Sequence, residues 1–179
     1  MQLPIWQPFI DEWYTFALFL LFIFILIGIS EFAQTILRWK PEFSRKLVHL
    51  VVGTIVSACP FIFKSNIPPI LLAGIFIFIN ALALKTDKFK GIHSTDRFSY
   101  GTVYFPISFL ILALFWWEKP ITLILSMLIM TFSDTIAAVI GERTTQPRQF
   151  QIWEDIKSVE GCLGMFLSSF MIIYIGTDL

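Results

Sequence analysis

The chain has 179 residues, 56% of them hydrophobic, 17% aromatic and 15% charged, with a mean hydropathy of +0.77. Such apolarity excludes a soluble globular domain of this length and marks a membrane protein. Formal net charge is zero, so the basic surface a nucleic-acid partner needs is missing, and Cys59 and Cys162 both lie in apolar segments where a thiol packs as a small hydrophobe.

Read in order, the chain predicts an all-α, polytopic membrane protein of about six transmembrane helices, each near the roughly 17 to 25 residues that a bilayer core demands. The first spans Trp13 to Ser30. It follows Trp6 and a lead-in broken by Pro4 and Pro8, and Trp13 and Tyr14 suit the membrane interface. No Lys or Arg precedes Arg38, and Asp11 and Glu12 flank the run, so it is not a secretory signal and is expected to stay in the mature protein.

The second helix runs from Leu47 to Phe63 and the third from Pro69 to Leu84. A polar connection, KTDKFKGIHSTDRFSYG, then leads to the fourth, Thr102 to Trp117. The turn Glu118, Lys119, Pro120 is short enough to make helices four and five antiparallel neighbours. The fifth helix runs from Ile121 to Ile140, a second polar loop from Glu142 to Glu160, and the sixth helix from Gly161 to Ile175. No internal repeat is visible, so residues 1–179 read as one domain.

All the basic residues except Lys64 and Lys119 fall in the loops after helices one, three and five. The positive-inside rule then places both termini outside and three long loops in the cytoplasm of a bacterial-type plasma membrane.

Asp134 stands inside the fifth apolar run, where an ionisable group costs roughly 2.5 to 3.5 kcal/mol to insert and marks a functional site by default. Thr131, Ser133 and Thr135 are within reach to hydrogen-bond it, and Asp134, Ala137, Ala138 and Gly141 share one helical face. A plain packing seam of small residues would account for Ala137 and Gly141, though not for a carboxylate. A divalent-metal site accounts for it, because Mg²⁺ takes one or two carboxylates and completes its shell with water and substrate phosphates. Glu160 is the expected second carboxylate, beside Gly161 at a helix start that attracts anions, with Lys157 and Ser158 offering a cation and a hydroxyl.

On the second helix, Arg45, Lys46 and His49 share a face, and Gly53 continues it one turn deeper. They read as a phosphate-binding or acid–base cluster, His49 being catalytic and Arg45 and Lys46 nucleotide-binding. His93 reads as a solvated or structural residue, and Asp96, Arg97, Tyr100 and Gly101 as a capped helix entry. No P-loop, Gly-rich dinucleotide motif or nucleophile elbow is present.

Three stretches, EFSRKLVHLVVG (42–53), SYGTVYFPISF (99–109) and SDTIAAVIG with KSVEGCLGMF (133–141 and 157–166), resemble the polyprenol kinase family of dolichol, phytol and bacterial-type kinases, distantly akin to CDP-diacylglycerol synthases. In that family the pattern Asp-x-x-Ala-x-x-x-Gly, followed by Lys, then Lys, Ser or Thr, then x-Glu-Gly, is associated with binding CTP. It falls here on Asp134, Ala137, Gly141, Lys157, Ser158, Glu160 and Gly161. The resemblance implies phosphoryl transfer from CTP, with Mg²⁺ on Asp134 and Glu160, to a lipid alcohol in the bilayer. It leaves CDP-lipid synthesis, a transport-type protein or an inactive form as rival readings. Thr145 stands where the family has a second Gly, and the gap from Gly141 to Lys157 is longer than the family's. The family also continues past the counterpart of Leu179 into a further span, which a homo-oligomer or a partner protein is expected to supply.

Overall fold

The computed structural model describes residues 6–86, 101–152 and 155–177; the expectations placed on His93, Asp96, Arg97 and Tyr100 lie outside them. The described chain is mostly helical. Its elements are α1 (Ile10–Thr35), α2 (Pro41–Ser57), α3 (Cys59–Ile62), α4 (Ile67–Thr86), α5 (Gly101–Phe115), α6 (Pro120–Leu128), a π-helical turn (Ile129–Ser133), α7 (Asp134–Arg143), β1 (Gln149–Ile152), β2 (Asp155–Ser158) and α8 (Val159–Thr177). Among the described residues, three helical stretches are long and apolar enough to cross a membrane: Ile10–Thr35, the continuous Pro120–Arg143 and Val159–Thr177. Ile67–Leu82 and Gly101–Phe115 are shorter apolar helices.

Proline sets most of the breaks. Pro60 lacks the N–H that would continue α2, so the expected second span ends at Ser57 and restarts as the single turn α3. α4 begins at Ile67, ahead of the expected Pro69, because Pro68 and Pro69 occupy a first turn whose N–H groups have no helical partner anyway. Likewise α2 opens on Pro41, so Glu42, Arg45 and Lys46 lie on the helix and not in a preceding loop.

Pro106, inside α5, cannot bond the carbonyl of Thr102. That carbonyl accepts instead from Asn80 Nδ2 at 3.0 Å, pinning α4 to α5. Farther along, Asn66 Nδ2 donates to the Ala113 carbonyl at 3.3 Å in the last turn of α5.

The core lies between α2, α4, α5 and α6 and contains Val56, Cys59, Phe63, Ala73, Phe109, Ala113, Trp117, Leu123 and Met127. α1 packs on α2 and α4, and α8 packs on α7, the π turn and α6. The end of the bundle near Phe63 is closed by a residue that sequence patterning treated as a mere flank. The carboxylate of Glu12, only 5% exposed, accepts the backbone N–H groups of Phe9 at 2.7 Å, Lys64 at 2.6 Å and Ser65 at 2.9 Å. Three donors satisfy a buried charge that would otherwise be expensive.

One element departs from the all-α expectation. The polar loop after α7 carries an antiparallel hairpin in which Gln149 pairs with Ser158, Phe150 with Lys157 and Gln151 with Ile156. Its strands are rich in β-branched, aromatic and Gln residues that suit a short exposed ladder, and their four-residue length hid the alternation.

Candidate functional site

At the opposite end of the bundle from Glu12, where α1, α4 and α7 end and α2, α5 and α8 begin, the helices surround a cavity of about 1250 Å³. That exceeds the roughly 300–1,000 Å³ of an ordinary small-molecule site and leaves room for two substrates. Asp134, Ala137, Ala138 and Gly141 all line it, so the shared face read from the sequence looks into the cavity.

The π turn determines that direction. One extra residue in a helix rotates everything downstream by about 100° relative to what precedes it. Without it Asp134 would point elsewhere. The same turn presents the Met130 carbonyl to α2, where His49 Nε2 lies 3.2 Å away. A carbonyl can only accept, so Nε2 carries the proton and a neutral His49 keeps Nδ1 as a base. The imidazole is further held edge-on to Phe105, with ring centroids 4.9 Å apart. Gly53, one turn along, permits this approach, because a Cβ there would lie 2.2 Å from Thr131 Oγ1.

The hydroxyls expected around Asp134 are turned elsewhere. Thr131 Oγ1 donates to the Met127 carbonyl at 2.7 Å and Thr135 Oγ1 to the Thr131 carbonyl at 2.8 Å, satisfying backbone groups near the π turn. The Ser133 hydroxyl is buried without a partner. No hydrogen bond or ion pair of the Asp134 carboxylate occurs among the described residues, so an oxygen donor faces the cavity uncommitted. No cluster of three or more His, Cys, Asp or Glu that could hold a metal occurs among them either. Glu42 and Glu142 also line the cavity but are held by Arg45 and Lys46, and one unpaired carboxylate, Asp134, fits magnesium, which relies on water and phosphate oxygens for the rest of its shell.

Arg45, Lys46 and His49 line the same cavity. Arg45 Nη2 pairs with Glu42 Oε1 at 2.8 Å, and Lys46 Nζ reaches that oxygen at 3.7 Å while forming a close ion pair with Glu142. The Lys46 side chain is 16% exposed, so this bridge from α2 to α7 is partly shielded. Sequence reading missed Glu42 and Glu142 as members of the site. Glu142 was within reach, for it lies eight residues after Asp134 and on the same helical face.

Ser158 stands just ahead of α8, and its Oγ accepts the Gly161 N–H at 3.1 Å, an N-cap that leaves its own proton to donate. Gly141 and Gly161 admit this close packing. A Cβ on Gly141 would lie 2.8 Å from Ser158 Oγ, and one on Gly161 would lie 2.9 Å from both that atom and the Ala137 carbonyl. Lys157, on β2, lines the cavity beside Ser158.

Glu160, the other carboxylate of the expected metal pair, is not among the residues lining the cavity. Its Oε2 accepts the Arg148 N–H at 3.0 Å, and its Oε1 lies 3.8 Å from Arg148 Nε, so it ties α8 to the root of the hairpin. The structure therefore brings together Asp134, Arg45, Lys46, His49, Ala137, Gly141, Lys157, Ser158 and Gly161, and sets Glu160 at their edge.

The chain is 32% identical over 136 residues to a phytol kinase of Synechocystis sp., an alignment that covers 73% of this chain and 57% of that protein. The chain thus spans little more than half the length of the relative it matches. No family model matches the chain, and no solved structure matches it significantly.

Proposed function

The chain belongs to the phytol/polyprenol kinase-like family, and on that premise we propose that it transfers the terminal phosphoryl group of a nucleotide, CTP, to the hydroxyl of an isoprenoid alcohol held in the membrane. The observation that carries this reading is a single cavity whose wall is charged at one end and hydrocarbon at the other. Asp134, Arg45, Lys46 and Lys157 line the charged end, and Val52, Val56, Phe76 and Phe109 the other. A transferase between a nucleotide and a lipid needs both surfaces in contact.

In the proposed reaction the alcohol oxygen bonds to the γ-phosphorus, the bond from that phosphorus to the β–γ bridging oxygen breaks, and CDP leaves with the electron pair. Such transfer depends on positioning and charge neutralisation more than on covalent participation by the protein. Asp134 would hold Mg²⁺, which when bound neutralises phosphate oxygens. Lys46 and Arg45 exchange part of their pairing with Glu142 and Glu42 for phosphate, and Lys157 and the Ser158 hydroxyl address the same oxygens from the hairpin side. The start of α8 adds the partial positive charge of a 19-residue helix. His49, with Nε2 donating to Met130, offers Nδ1 to orient the alcohol and take its proton. Glu160 we assign to holding the hairpin root against α8 through Arg148. The loop ends of the helices face the cytoplasm in this reading, where the nucleotide is.

Reconstitution of the purified chain in lipid nanodiscs with Mg²⁺, radiolabelled CTP or ATP and phytol, farnesol or a polyprenol tests it. A lipid monophosphate with CDP as co-product is expected. Formation of pyrophosphate and a CDP-lipid identifies the cytidylyltransferase chemistry instead, and the absence of any labelled lipid refutes the kinase assignment for this chain.

A further inference from the structure

The hairpin carries two large apolar side chains on β1, Phe150 and Ile152, that the helical core does not use. Every residue of β1 is exposed, Phe150 by 37% and Ile152 by 54%, yet both of these line the cavity. No ring or cation contact of Phe150 occurs among the described residues. The ladder pairs Phe150 with Lys157, and residues paired across an antiparallel ladder project from the same face with Cβ atoms about 4.5–5.5 Å apart. One face of the hairpin therefore presents a cation, an aromatic ring beside it, and an isoleucine about 7 Å farther along the strand. The hairpin also lies outward of Asp134. From Asp134 to Gly141 is seven residues of α7, about 10 Å toward the end of that helix, and Gly141 packs against Ser158, the last residue of β2. His49 lies inward of the hairpin, level with the π turn that precedes Asp134.

We propose that this hairpin face is the nucleoside subsite of the donor: the nucleotide lies along α7 with its terminal phosphate inward at Asp134, its other phosphates against Lys157 and Ser158, and its base outward, stacked on Phe150 with Ile152 extending the apolar platform. The inference rests on the kinase reading above and adds the donor's orientation and the residues that hold its base. The orientation follows from the chemistry. The γ-phosphorus has to meet the alcohol oxygen beside His49, so the nucleoside trails away from it toward the hairpin, and the ribose bridges the step from Lys157 to the neighbouring ring. Covering Phe150 and Ile152 with a base removes from water apolar surface that is otherwise exposed. Stacking uses the π-face that every base has, so this subsite holds a nucleoside without choosing among bases.

The test uses the whole chain in nanodiscs with Mg²⁺ and reads binding by calorimetry, so that it does not depend on the acceptor. The probes are CTP, UTP, ATP and inorganic tripolyphosphate, which has the phosphates without the nucleoside. Phe150→Ala is expected to weaken each nucleotide about tenfold and to leave tripolyphosphate unchanged, and that retained binding also shows the variant folded. Phe150→Leu keeps apolar bulk in the strand but lacks a flat ring; it should show the same selective loss in smaller measure and decides the matter if the alanine variant does not fold. Variants that bind the nucleotides as tightly as the parent, the result expected of a ring that faces the bilayer, overturn the proposal. So does an equal loss for tripolyphosphate, which would make the ring a support of the hairpin, and so does a loss confined to one nucleotide, which would mean that the base is read by its edge. A parent that binds none of the three nucleotides fails the kinase reading itself, and the subsite falls with it.

Discussion

Replacing Gly53 with alanine is the sharpest probe of how the helices position the site. The added Cβ would lie 2.2, 2.5 and 2.9 Å from Thr131 Oγ1, Cγ2 and Cβ, where ordinary contact begins at 3.4 Å. Thr131 cannot swing aside. It is fully buried, β-branched, and its hydroxyl is committed to the Met127 carbonyl. α2 must therefore back away from the π turn by up to about 1.2 Å, an overpacking that typically costs about 1–3 kcal/mol. The same movement stretches the 3.2 Å contact of His49 Nε2 with the Met130 carbonyl beyond hydrogen-bonding range. A displacement of about 1 Å in a catalytic geometry costs on the order of 100-fold in rate. Gly53→Ala is thus expected to lower the unfolding temperature in detergent by several degrees and kinase turnover by about 100-fold, and a second change, Thr131→Ala, should restore much of both. A single variant as stable and as active as the parent would refute the argument, as would a double variant no better than Gly53→Ala alone.

Three other substitutions separate charge from packing. Asp134→Asn keeps shape and removes the uncommitted carboxylate, so turnover should fall about 100- to 1,000-fold with an unchanged melting curve; retained turnover would remove Asp134 from the chemistry. Lys46→Ala severs the bridge to Glu142, and on the proposed reading, in which Lys46 binds phosphate, it should raise the KM for the nucleotide donor about tenfold or more, measured by initial rates at saturating alcohol; an unaltered KM would exclude Lys46 from nucleotide binding. Glu12→Gln should destabilise by about 1–3 kcal/mol without touching the KM of either substrate, because an amide NH₂ must face a backbone N–H of Phe9, Lys64 or Ser65. Thermal unfolding checks this, and a curve identical to the parent's would show that the three N–H bonds contribute nothing net.

The sequence by itself determined the membrane class, the places of the helical stretches except the second, which begins at Pro41 and breaks after Ser57 where Leu47 to Phe63 was expected, and the face shared by Asp134, Ala137, Ala138 and Gly141, because hydropathy and the 3.6-residue period are local properties. It also singled out Arg45, Lys46, His49, Lys157, Ser158 and Gly161, since charged, small and polar residues stand out against an apolar background. What it could not contain is which of these groups already has a partner. Only packing from distant segments decides that Glu160 is taken by Arg148, that Lys46 meets Glu142 ninety-six residues away, that Glu12 gathers amides from the α3–α4 connection, and that Thr131 and Thr135 serve backbone carbonyls instead of Asp134. The π turn is the clearest case. Nothing in the residues Ile129 to Ser133 demands a widened turn, yet with Gly53 and His49 of α2 packed against it, that turn aims Asp134 into the cavity.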